Sequence, residues 1–76
     1  MHDAIVEQAG LSKREAEVLA LALRGRTNER IAQELVVSKS TVDTHLRRIY
    51  SKAGVHSRQE LIDYGENLVR SARPRG

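Results

Sequence analysis

Thr27 to Ala53 reads TNERIAQELVVSKSTVDTHLRRIYSKA, two segments with a helical period on either side of a short break. In the first, Thr27 is a capping residue, and Ile31, Ala32 and Leu35 share one side of a helix from about Asn28 to Leu35. Ala32 is small enough to let a neighbouring helix come close. Val36 and Val37 interrupt the pattern, and Ser38 then caps a longer helix over residues 39–53, roughly 22 Å in length. There, Val42, Leu46, Ile49 and Ala53 fall within a narrow arc. Opposite them stand Ser40, Asp43, Thr44, Arg47 and Ser51, with Arg48 and Lys52 on one flank and Lys39 and Tyr50 on the other. A short helix, a three-residue connection and a longer helix with a polar outer face make the helix-turn-helix pattern. The turn lacks the glycine such turns often contain, and Val37 is expected to plug the core between the two helices.

A surface helix usually carries long residues of mixed sign on its outer arc. Here small hydrogen-bonding groups surround an arginine and cations stand at the margins, which suits a helix laid in the major groove of DNA. The charge distribution points the same way. Residues 1–37 hold five Lys/Arg against six Asp/Glu, residues 38–58 hold five against one, and residues 59–76 hold three of each. The net charge of +3 therefore comes from a local excess of +4 around the longer helix. Such clustering is the footprint expected for a polyanion partner, although a solvated basic face is the plain alternative.

Upstream, Leu11-Ser12-Lys13-Arg14-Glu15 is a helix start in which Ser12 and Glu15 can exchange bonds as a capping box. Val18, Leu19, Ala22 and Leu23 form the buried stripe, and Gly25 stops the helix. Glu15 and Glu17 are expected to neutralise Lys13 and Arg14. Residues 1–10 read as a linker or a short frayed helix, with Ala4, Ile5 and Ala9 as its weak apolar side. Downstream, Gly54 ends the longer helix and Ser57-Arg58-Gln59-Glu60 offers a second capping box. Leu61, Ile62, Leu68 and Val69 are the apolar positions of the helix that follows. The edge formed by Leu61, Gly65, Leu68 and Ala72 either stays available to a partner helix or closes the core, and both readings stand. Residues 71–76 read as a disordered basic tail.

Composition bounds the rest. Seventy-six residues make one domain at most, and such a core supplies roughly 3–5 kcal/mol, so pairing or attachment to a larger protein is energetically reasonable. The absence of cysteine excludes disulfides and thiolate zinc sites and fits a reducing, cytoplasmic setting. No apolar run is long enough to span a bilayer, so this segment is expected to make no membrane contact. The histidines at 2, 45 and 56 have no second ligand at metal spacing, so no metal or other cofactor is expected. His45 is expected to pack at the margin of the core. Asp43 and His45 point apart on their helix, no nucleophile-base set forms, and no glycine-rich phosphate loop is present; an enzyme is not expected.

Residues 11–62 resemble the LuxR-type (LuxR/GerE) helix-turn-helix domain of bacterial transcription regulators. The resemblance rests on Leu11-Ser12-x-Arg14-Glu15, Val18-Leu19, Gly25-x-Thr27-Asn28-x-x-Ile31-Ala32-x-x-Leu35, Ser38-x-x-Thr41-Val42-x-x-His45, and Ile49-Tyr50-x-Lys52-x-Gly54-Val55-x-x-Arg58. It implies an all-α, four-helix domain over residues 11–70. The third helix would be the recognition helix, and the fourth would contribute to a homodimer on a pseudo-palindromic site. Leu61, Gly65, Leu68 and Ala72 are the expected dimerisation edge. Related domains use the positions of Asp43, Thr44 and Arg47 for groove contacts, and Ser40 shares their arc. Thr27, Asn28, Ser38, Lys39, Thr41, Arg48, Lys52 and Arg58 are expected to hold phosphates, which fixes register without reading sequence.

Asp43 departs from the family, which often has a basic or neutral residue there. Its carboxylate would either accept from a cytosine amino group or pair with Arg47 four residues on, and the second is the favoured expectation. Two other partners can be weighed. RNA polymerase contact, as in sigma-factor region four, matches the fold pattern but fits the signature from Ser38 to Arg58 less well. RNA would find few stacking platforms, with two tyrosines and no Phe or Trp. Domains of this type are commonly the output of a larger regulator, such as a response regulator, so the chain is expected to be an excised output domain or a stand-alone member.

Overall fold

Four helices begin where the sequence supplies a side-chain acceptor for free amides. The computed structural model describes residues 1–72, which form α1 (His2–Ala9), α2 (Lys13–Leu23), α3 (Asn28–Leu35), α4 (Lys39–Ala53) and α5 (Arg58–Ala72). Ser12 Oγ accepts from the Glu15 amide at 3.2 Å, and Glu15 Oε1 accepts from the Ser12 amide at 2.8 Å, which completes the capping box. Thr27, Ser38 and Ser57 cap α3, α4 and α5 by accepting from the amides of Arg30, Thr41 and Glu60. The second capping box closes only by half. The Ser57 hydroxyl itself lies 3.5 Å from Glu60 Oε2, and the return bond to its amide is not made among the described residues.

The turn between α3 and α4 reaches a left-handed conformation without glycine. Val36 takes φ 56°, with its amide on Gln33 O at 3.3 Å, and the Val37 amide reaches Ala32 O at 3.0 Å. The Val36 side chain is 89% exposed, whereas Val37 packs against the core as the sequence suggested.

The core joins Val18, Leu19 and Ala22 of α2, Ile31 and Ala32 of α3, Val42, Leu46 and Ile49 of α4, Leu61 of α5 and Ile5 of α1. Both α2 and α3 lie against α4, so the inner arc of α4 is the surface on which the domain is assembled. Its outer arc is left to solvent.

The fold is all-α as expected, and the described residues hold five helices, the four expected from residue 11 onward preceded by α1. Residues 1–10 form a short helix ended by Gly10, one of the two readings of the sequence, and this helix is packed rather than frayed. Ile5 is fully buried, and His2 Nε2 lies 2.8 Å from the Ala16 carbonyl, which fastens α1 to α2. The apolar pattern of α1 is weak because Ile5 is its one fully buried residue, with Val6 packed partly against the core.

This helix also corrects the expected partner edge of α5. Leu61 is fully buried, Leu68 packs on the core, and a Cβ at Gly65 would lie 2.6 Å from Met1 Cγ and 2.8 Å from Ile5 Cδ1. The Leu61–Gly65–Leu68 edge is therefore the seat of α1. Ser71 and Ala72 extend α5 where a tail was expected, the side chain of Ala72 is not described, and 73–76 lie outside the described residues.

Candidate nucleic-acid interface

The outward arc of α4 is where the expected base readers stand. Ser40 and Arg47 are exposed, and Asp43 and Thr44 are half-buried beside them. Thr44 donates its hydroxyl proton to the Ser40 carbonyl at 3.0 Å, so it can offer a groove its methyl group and an acceptor. Arg47 makes no hydrogen bond or ion pair among the described residues. Asp43 is not held by Arg47, against the favoured expectation. Its Oδ1 accepts from Asn28 Nδ2 at 2.8 Å, and its Oδ2 lies 3.6 Å from Lys39 Nζ.

The expected phosphate anchors divide into two groups. Thr27, Ser38, Lys39, Thr41 and Arg48 stand at or near the N-termini of α3 and α4 or on the flank of α4. Thr27 and Ser38 also serve as caps, and Thr41 Oγ1 shares a bond of 2.9 Å with Ser38 Oγ. The first amides of α3 and α4 have no intrahelical acceptors, and both helix ends carry positive dipole charge, so this side of the molecule suits anions. Arg48 is exposed and unpaired among the described residues. Arg26 and Arg30 add two exposed guanidiniums by the same end of α3, each within 3.8 Å of Glu34 Oε2.

Asn28, Lys52 and Arg58 instead bond partners within the fold, Lys52 while still partly exposed. Lys52 Nζ lies 2.7 Å from Oε1 of Glu15, whose side chain is almost fully buried. Burial pushes the Glu15 carboxyl up. The Lys52 ammonium and the bonds from Ser12 outweigh that effect and hold it below its ordinary value. Glu15 thus points inward to Lys52, Glu17 alone pairs with Arg14 at 2.9 Å, and Lys13 is left without an ionic partner among the described residues. Arg58 reaches from the start of α5 to the Arg26 carbonyl at 2.6 Å, the Ala22 carbonyl at 3.5 Å and Asn28 Oδ1 at 2.7 Å. This guanidinium seals the end of α2 and the start of α3.

The inward role of Arg58 was readable, because its side chain falls on the arc of Leu61 and Gly65. The Glu15–Lys52 pair had no local signal, since its partners are 37 residues apart. His45 is half-buried at the core margin as expected, and its Nδ1 is buried without a hydrogen-bond partner among the described residues. Among the described residues no cluster of three metal-ligating side chains occurs, and no helix is long and apolar enough to cross a membrane.

Comparison with known families agrees with this geometry. The GerE family model, described as bacterial regulatory proteins of the luxR family, matches residues 9–65, from the end of α1 into α5. No solved structure matches the chain.

Proposed function

The chain belongs to the LuxR family of bacterial regulatory proteins, a helix-turn-helix DNA-binding family, and from that premise we propose that it binds duplex DNA sequence-specifically with α4 in the major groove. The observation that carries this reading is the outer arc of α4. An unpaired Arg47 stands there among short polar side chains, next to two helix N-termini suited to phosphate oxygens. Arg47 is the proposed main base reader, bidentate to guanine O6 and N7, with Ser40 and Thr44 beside it. Thr27, Ser38, Lys39, Thr41 and Arg48 are the proposed phosphate contacts, joined by Arg26 and Arg30.

Two copies on a pseudo-palindromic site are the proposed arrangement. Since α1 covers the inner edge of α5, self-pairing falls to the exposed strip around Val69, flanked by Glu66 and Arg70. In an antiparallel pair crossing near residue 68, each Glu66 would face the other copy's Arg70, which makes that strip self-complementary in charge.

Guanine N7 methylation tests groove and arrangement together. The bound protein is expected to protect guanines in two half-sites about one helical turn apart. Protection of one half-site at saturation would argue against pairing, and protection confined to adenine N3 in the minor groove would overturn the placement of α4.

A further inference from the structure

Resting on that DNA-binding reading, we propose that Asp43 selects cytosine and that Asn28, itself held by Arg58, is the positioning residue that aims the Asp43 carboxylate into the groove. Three elements, α3, α4 and α5, meet at the Asn28 amide. Arg58 Nη2 donates to Asn28 Oδ1 at 2.7 Å, and Asn28 Nδ2 donates to Asp43 Oδ1 at 2.8 Å. Arg58 is in turn fixed by its bond to the Arg26 carbonyl. The direction of the chain is unambiguous. A guanidinium can only donate and an ionised carboxylate can only accept, so the Asn28 amide has one workable orientation between them.

A tether alone explains an acceptor at position 43, but not a negative charge. Asparagine or serine would accept the same bond without placing an anion beside phosphates, where it weakens sequence-independent attraction. The charge is useful if the target donates. The major groove offers two donors, the amino groups of cytosine and adenine. Adenine sets its N7 acceptor next to the amino group, facing a carboxylate with a second lone pair, whereas the cytosine edge presents its amino group without that neighbour. After Asn28 takes one acceptor position, and with Lys39 Nζ at 3.6 Å from Oδ2, the carboxylate still has free lone pairs toward solvent. Arg47, one turn further along, remains free to take guanine. An acceptor and a donor thus stand one helical turn apart and read separate positions.

The test is selection from random duplexes with the wild type, Asn28→Ala and Asp43→Asn, alongside thermal unfolding of each protein without DNA. The wild type is expected to prefer cytosine at one position per half-site by about ten-fold, the discrimination of a single good base contact. Asn28→Ala should flatten that position while the guanine read by Arg47 persists. Asp43→Asn keeps an acceptor for Asn28 and should move the preference to adenine, which an amide pairs bidentately. Asn28→Ala leaving the cytosine intact, or weakening every position equally, would overturn the positioning role. Asp43→Asn selecting the wild-type site would overturn the cytosine contact, and this arm decides the matter if Asn28→Ala does not fold. A wild type that enriches no duplex would remove the DNA-binding reading and this inference with it. Enrichment without cytosine at such a position removes the inference alone.

Discussion

Lys52 and Arg47 sit on one helix and do opposite work. The Lys52 ammonium holds the buried Glu15 carboxylate at 2.7 Å, so its removal leaves an acid buried without its countercharge. Lys52→Met is expected to cost about 1–3 kcal/mol in denaturant unfolding, at the lower end for buried pairs because Lys52 is itself partly exposed. The pH dependence follows from the lowered Glu15 value. The unfolded chain takes up the proton first as pH falls, so the contribution is complete above the ordinary glutamate value of 4.5 and is lost as pH drops through the lower folded value. The melting temperature of the wild type should therefore fall more steeply than that of Glu15→Gln as the solution is acidified from pH 5. Equal slopes would show that other carboxylates dominate. Arg47→Ala, in contrast, removes an exposed side chain with no hydrogen bond or ion pair among the described residues, and its unfolding free energy should stay within about 0.5 kcal/mol of the wild type.

The helix boundaries were legible in the sequence because caps, stops and period agreed. Ser12, Thr27 and Ser38 start helices where their spacing says they should, and Gly54 ends α4. What escaped was non-local. A single buried Ile5 turns residues 1–10 into a structural helix, and that helix takes the edge of α5 that looked free for a partner. The Asn28–Asp43 and Arg58–Asn28 bonds likewise join residues 15 and 30 apart, beyond the reach of any periodicity. Two variants examine these elements. Ile5→Ala should cost about 2–5 kcal/mol by equilibrium unfolding, as for a core aliphatic; a loss below about 0.5 kcal/mol would mark α1 as an appendage. Val36→Gly relieves a β-branched residue in the left-handed region and loses no buried surface. It should stabilise the domain by about 1 kcal/mol, and destabilisation of that size would show that the exposed Val36 side chain supports the turn.

Taken whole, the domain separates two uses of charge. Glu15, Lys52, Arg58 and Asn28 form bonds that fix α2, α3 and α5 around α4, and α4 keeps Arg47 on its outer arc and Arg48 on its flank open to solvent. The helix-turn-helix pair and the polar outer arc of α4 could be read from residues 27–53 alone, because local period and charge clustering carry them. Which cations belong to the fold and which to a ligand depends on tertiary partners; the arc of Leu61 and Gly65 marks Arg58 as inward, but no local signal sets Lys52 apart from Arg48. The most direct check is a salt titration of binding to a selected duplex and to a random one, with the wild type and Arg47→Ala. Wild-type affinity for both should fall linearly in log salt, by about one unit of slope for each phosphate contact. Arg47→Ala should lose about ten-fold or more on the selected duplex, with little change on the random one and little change in slope. No binding at low salt, or an equal loss on both duplexes, would contradict a major-groove reading by α4.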